Sequence, residues 1–296
     1  MIRKPLLNYQ QLLDKLSDVG VSFDIMDRAM AKSILQERNY YYKLSSFRKL
    51  FPKENGKYNI DFAYLADLAV IDMRLRYFLL DLCLDVEHGI KTTLMDAITK
   101  NPKEDGYGIV KKYAVCNPKG YKNTIDALSR NTYLREMYSK RHADIPIWVL
   151  IEVMDFGNLC YLVELYCRLY PSNKTLKKAR IYCKFSRYIR NATAHSNVLL
   201  VDMLNQTVNP APNIISLANQ CNLTRNDIKY RKIHDILSLV ILHQEYCSKA
   251  LAKHRKREGL KLLKRARKHL KYYYPHKNPV KIYKILRKII VNLSKK

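Results

Sequence analysis

The sequence predicts an all-α protein, and three observations carry that expectation. Glycine and proline are sparse, 8 and 10 in 296 residues, so few turns are available. Between 61 and 99, Leu65, Leu68, Ile71, Leu75, Phe78, Leu82, Val86, Ile90 and Leu94 recur at spacings of three and four. That periodicity is the mark of one long amphipathic helix. In the last 46 residues, Leu260, Leu263, Ile282, Ile285 and Ile289 still return at helical spacing amid many cations.

Taken in order, two short helices are expected over 8–19 and 24–38, the first ended by Gly20 and the second capped by Asp24. Tyr40-Tyr41-Tyr42-Lys43-Leu44 leads into a helical stretch ending near Phe51-Pro52, and Glu54-Asn55-Gly56 reads as a turn. The long helix follows, with Gly89 a candidate bend. Residues 101–121, holding Pro102, Gly106, Gly108, Pro118 and Gly120, read as a loop. A helix over 123–139 precedes Asp144-Ile145-Pro146, which opens a very apolar helix over 148–169. Pro171-Ser172-Asn173 breaks it. The next helix runs from about 175 through His195 and beyond, and Pro210-Ala211-Pro212 marks another loop. One long helix is expected over 224–257, and two basic helices meet at Tyr274-Pro275-His276. The organisation expected is an N-terminal helical lobe (1–56), a helical core (57–205) and a C-terminal extension (206–296).

Charge narrows the function classes. Lys and Arg total 54 against 26 acids, a net +28, and a surplus that large resists compaction unless a polyanion accompanies it. Residues 251–296 hold 17 Lys/Arg and one acid, Glu258. Nucleic acid is the favoured partner and an anionic membrane surface the rival. The candidate RNA contacts in this tail are Arg255, Lys256, Arg257, Lys261, Lys264, Arg265, Arg267, Lys268 and Lys271. A merely solvated face is the plainest alternative. No apolar run approaches the ~18 residues of a spanning helix, and no signal peptide is evident. A cytoplasmic protein is expected, its seven cysteines reduced and in the core. No metal-ligand spacing joins His142, His234 and His243, and Glu87-His88 lacks an HExxH continuation. No phosphate-binding glycine motif occurs. Neither metal nor cofactor is expected.

One segment carries chemistry: Ser186-Arg187-Tyr188-Ile189-Arg190-Asn191-Ala192-Thr193-Ala194-His195. On a helix, Arg187, Asn191 and His195 share a stripe at four-residue spacing, and Arg190 lies beside it. RNA cleavage without a metal needs such groups. Histidine titrates near neutrality and can take the 2′-hydroxyl proton or supply the leaving 5′-oxygen. A guanidinium can stabilise the charge of the phosphorane, and an amide can orient the imidazole or hold a phosphate oxygen. By residue type alone, an Arg five residues before a His is an ordinary solvated helix face. Glu87 and Glu152, each in an apolar stretch, read as ion-pair partners for Arg74 or Arg190, with a supporting catalytic role as the alternative.

Tyr188 to His195 resembles the Arg-Asn-x-x-x-His signature of HEPN ribonucleases, and its surroundings resemble the abortive-infection AbiD/AbiF family. Three further blocks are similar to that family in order: Tyr40-Tyr41-Tyr42-Lys43-Leu44-Ser45, the turns from Asp72-Met73-Arg74-Leu75-Arg76 to Val86-Glu87-His88-Gly89-Ile90-Lys91, and the Trp148…Glu152…Phe156-Gly157 block. Together they span about residues 1–205. The resemblance implies a HEPN-type helical bundle that dimerises with two Arg/His motifs on one cleft. It also implies a toxin-like endoribonuclease of anti-phage defence, associated with a small structured non-coding RNA. Arg190, Asn191 and His195 are then the catalytic set, with Arg187, Glu152 and Glu87 supporting. Here Ser196-Asn197 stand where many relatives carry an Arg after the histidine. The alternatives are a HEPN scaffold that binds RNA without cutting, and a membrane-acting toxin driven by the basic tail.

Overall fold

The computed structural model describes residues 5–294 and is all-α: fifteen α-helices and a single pair of two-residue strands among the described residues. The N-terminal part contains α1 (Tyr9–Asp18), β1 (Val21–Ser22), α2 (Arg28–Glu37), α3 (Tyr41–Ser46), a short 3-10 turn and β2 (Ile60–Asp61). Asn8 and Gln11 close α1 with a reciprocal capping box, and Gly20 ends it in the left-handed region at φ +87°. The cap of α2 is Asp27, three residues beyond the expected Asp24. The reason is Asp61, whose carboxylate accepts the N–H groups of Asp24 and Ile25 and holds that stretch as a turn. The Glu54-Asn55-Gly56 turn is present, with both Asn55 and Gly56 at positive φ.

Helix α4 (Phe62–Thr99) runs unbroken for 38 residues and buries every member of the predicted stripe. Gly89 serves close approach: a Cβ there would stand 2.5 Å from the Tyr246 carbonyl oxygen. Next come α5 (Gly108–Cys116) and α6 (Pro118–Arg130), which replace the expected loop at 101–121. The glycines and prolines mark helix ends there: Asp105 receives the N–H groups of Tyr107 and Gly108, and Pro118 takes the first-turn position that tolerates it. The helix expected over 123–139 is interrupted at Asn131, which caps a 3-10 turn ahead of α7 (Arg135–Arg141).

The apolar stretch after Pro146 is two helices, α8 (Ile147–Val153) and α9 (Phe156–Leu169), because Asp155 caps the second through the N–H groups of Gly157 and Asn158. Then follow α10 (Lys177–Ala194), α11 (Pro212–Gln220), α12 (Arg225–Ile228), α13 (Arg231–Tyr246), α14 (Lys249–Ala266) and α15 (Lys277–Asn292). The single helix expected over 224–257 is thus three. Backbone bonds from Val208 to Lys229 and from Arg231 to Gln206 occupy the chain at the first break, and the Ser248 hydroxyl receives the Leu251 N–H at the second.

The chain forms two compact units. One comprises, within the described residues, 5–80, 191–237 and 253–294; the other comprises 81–190 and 238–252. In the first unit the core draws on Leu65, Leu68, Leu75, Ile233, Ile236, Ile282, Ile285 and Ile289. In the second it draws on Val86, Ile90, Leu94, Ile109, Tyr113, Phe156, Leu159, Leu162, Tyr166 and Tyr182, with His243 facing Asp85 at 3.2 Å. Cys83, Cys167, Cys183, Cys221 and Cys247 are buried free thiols, whereas Cys116 is exposed and Cys160 half-buried. No helix among the described residues is long and apolar enough to cross a membrane.

Candidate functional site

Helix α10 carries Arg187, Arg190 and Asn191, and it stops where the sequence puts His195. Three backbone bonds end it. The His195 N–H keeps its helical bond to Asn191 (3.0 Å), Ser196 turns back to Thr193 (3.1 Å), and Asn197 reaches the Ala192 carbonyl (2.8 Å). Ser196 takes φ +55°. This is the six-residue closure that normally uses glycine after the helix; here a serine adopts the left-handed conformation, and His195 becomes the C-cap. The helix therefore does not continue beyond His195 as expected. Asn191 and His195, both exposed, lie one turn apart at its exit, and Thr193 is buried beneath them.

The segment leaving this end is tied down by charged groups of the same unit. Lys43 donates its ammonium to the Ser196 carbonyl at 2.7 Å. Asp72, fully buried, accepts the N–H groups of Leu199 (2.8 Å) and Leu200 (2.9 Å), and also Nε of Arg76 (3.0 Å). Lys232 donates to the carbonyls of Val198, Leu199 and Val201. Burial pushes the Lys232 amine below the ordinary lysine range. Burial, reinforced by the neighbouring Arg76 charge, does the same to Lys43. The expected site set contained none of Lys43, Asp72 and Lys232. Lys43 and Asp72 do fall inside quoted sequence blocks, and an acid within an apolar helical stripe is a readable signal. Lys232 carried none.

In the other unit, Arg187 and Arg190 sit on α10 as half-buried side chains. Arg187 lies across Gly157, where a Cβ would come 3.3 Å from its Nη1, so the bare glycine backbone makes room for the guanidinium. Arg190 faces the buried Cys83 from α4. Burial pushes that thiol up, the Arg190 charge opposes the shift, and the nearby Glu87 and Asp85 add to it. Glu87 is paired with Lys91 at 3.2 Å, an i,i+4 bridge, and Arg74 is exposed. Glu152 is exposed on α8.

The basic tail is ordered as α14 and α15. Lys261, Lys264, Arg267, Lys268 and Lys271 are exposed, as is Arg257, while Lys256 is half-buried. Two of the candidate RNA contacts are engaged within the protein. Arg255 holds Glu258 at 2.8 Å, and Arg265 is turned inward to Asp67 at 2.6 Å, where Tyr273 also donates its hydroxyl. Apart from these two, the cations point outward over buried Leu262 and Leu263. No cluster of three metal-ligating side chains occurs among the described residues.

The family model described as Abi-like protein matches residues 33–200, more than half of the chain. The match begins within α2 and ends at Leu200, the last of the two N–H groups held by Asp72. No curated protein and no solved structure matches this sequence.

Proposed function

The chain belongs to the Abi-like protein family, which points to abortive-infection defence, and from that premise we propose that it is a metal-independent endoribonuclease whose catalytic set is Arg190, Asn191 and His195. The observation that carries this reading is the end of α10: an exposed His195 at the C-cap, one turn from an exposed Asn191, its exit segment fixed by Lys43, Asp72 and Lys232. Catalytic groups are most effective when their backbone is held by its surroundings, and a charged, bonded cradle of this kind supplies that.

In this reading an imidazole takes the proton of a ribose 2′-hydroxyl as that oxygen forms a bond to the adjacent phosphorus. The P–O5′ bond breaks, and the 5′-oxygen takes up a proton. In a homodimer the partner subunit's His195 is suited to return it. Arg190 neutralises the charge of the pentavalent phosphorus, and Asn191 orients imidazole or phosphate. The products are a 2′,3′-cyclic phosphate and a 5′-hydroxyl. The exposed cations of α14 and α15 hold the RNA backbone, including a structured non-coding RNA that controls the enzyme.

The test is induced expression in bacterial cells of wild type, Arg190→Ala and His195→Ala, with growth and total RNA followed together, and with the neighbouring non-coding sequence present or absent. Growth arrest with new cyclic-phosphate ends in wild type alone supports the reading. Equal toxicity of all three chains with intact RNA overturns it.

A further inference from the structure

Beside the segment that follows His195, the first unit contains a cavity of about 490 Å³, within the ~300–1,000 Å³ range of small-molecule sites. Its walls come from α2, the start of α3, the first turns of α4 and the end of α14 with the turn after it. Ala63, Ala66 and Ala69 of α4 line one side, and their short side chains keep the space open.

Two features of the lining are unlike an ordinary packing defect. The first is an aromatic stack. Tyr64 lies on Tyr272 with centroids 4.6 Å apart and planes at 15°, and Tyr272 lies on His269 at 5.0 Å and 8°. Tyr272 and His269 line the cavity and Tyr64 does not, so a prebuilt pile of rings ends at the open space. The second is charge. The lining contains Arg38, Lys43, Arg76 and Arg265 against one carboxylate, Asp67, which Arg265 and Tyr273 already engage. Arg76 is matched by Asp72 below it. Lys43 and Arg38 thus face the cavity without a lining carboxylate of their own, and Lys43 is the residue that grips the Ser196 carbonyl.

A flat ring to stack on, beside cations with no carboxylate of their own in the lining, is the chemistry that recognises a nucleotide: the base by its π-face, the phosphate by ammonium and guanidinium. We propose that this cavity is the subsite for a nucleotide flanking the scissile phosphate, its base stacked on His269 and its phosphate on Lys43 and Arg38. The flanking role rests on the ribonuclease reading above; the nucleotide site itself stands on the cavity alone.

The test uses the full-length protein freed of copurifying RNA, titrated calorimetrically with adenosine 5′-monophosphate, with adenosine and with ribose 5-phosphate. The expected result is saturable binding of the monophosphate at about 1 mM or tighter, with each half-ligand about tenfold weaker, as one stacked base or one charge-assisted phosphate contact is worth. His269→Ala removes the advantage of the base, and Lys43→Met removes that of the phosphate. Ala66→Phe fills the cavity and abolishes binding at an unchanged melting temperature. If Ala66→Phe misfolds, the His269→Ala and Lys43→Met pair decides alone. Absence of saturable binding, or equal binding by wild type and His269→Ala, overturns the site. Binding with the expected variant pattern, in a protein that cuts no RNA, supports the site while removing the ribonuclease reading. Cleavage that is abolished by His195→Ala but unchanged in KM by His269→Ala keeps the ribonuclease and overturns the flanking role.

Discussion

The segment leaving α10 and the basic tail draw on the same residue types and use them in opposite ways. Around Ser196 to Val201, cations are engaged inside the fold: Lys232 donates to backbone carbonyls, and Arg76 is locked on Asp72. Along α14, Lys261, Lys264, Arg267 and Lys268 remain in solvent over a buried apolar stripe. The cations behind the net charge of +28 therefore include two populations, one that is built into a turn and one that stays in solvent. Formal charge cannot tell them apart; burial and carbonyl partners can.

Breaking the first population is expected to have the largest effect. Asp72→Ala leaves the Arg76 guanidinium and two backbone N–H groups without their buried acceptor, a loss of about 3–5 kcal/mol of stability. Urea denaturation checks this, and a change below about 1 kcal/mol would mean that the exit segment is not anchored there. Replacing Lys261, Lys264 and Lys268 together by Ala probes the second population. The unfolding midpoint should hardly move, because each exposed change costs no more than about 0.5 kcal/mol. RNA affinity should fall, and the slope of log affinity against log salt should shrink by about 2–3. A lowered midpoint with an unchanged salt slope would put these lysines in the structural class.

The next effect in size belongs to Lys232→Met, which strips the buried carbonyls of their donor at a cost of about 1–3 kcal/mol, readable as a fall in melting temperature. The smallest is Ser196→Gly. Relief of the left-handed strain outweighs the added freedom of the unfolded chain, and stability should hold or rise by up to about 1 kcal/mol. A clear loss would show that the serine side chain contributes something its backbone conformation does not.

The all-α architecture and the α4 stripe were legible because apolar spacing directly encodes which face is buried. Helix ends were less legible. Asp24 and Asp27 are equally good caps by type, and only Asp61, distant in sequence, decides between them. The glycines and prolines of 101–121 looked like a loop, although Pro118 begins a helix. The break at Lys229 depends on backbone pairing with residues more than twenty positions away, which no local pattern carries. At the candidate site, Arg190, Asn191 and His195 were singled out by the resemblance of their segment to a known signature rather than by spacing alone, whereas the stop after His195 needs a serine in a conformation that sequence does not announce. Lys43, Asp72 and Lys232 come together from three distant stretches, so their common purpose is visible only in three dimensions. Arg265 illustrates the reverse: in sequence it is one cation among many in a basic helix, and in the fold it is a partner of Asp67.

The most direct test of the central claim is incubation of purified protein with a defined single-stranded RNA in excess EDTA, with the ends of any fragments mapped. The account predicts cleavage that leaves 2′,3′-cyclic phosphates and 5′-hydroxyls, reduced about 10²–10⁴-fold by His195→Ala and comparably by Arg190→Ala, with RNA affinity retained. RNA that stays intact while remaining tightly bound, or fragments produced equally by His195→Ala, would contradict it and leave the end of α10 as a binding surface.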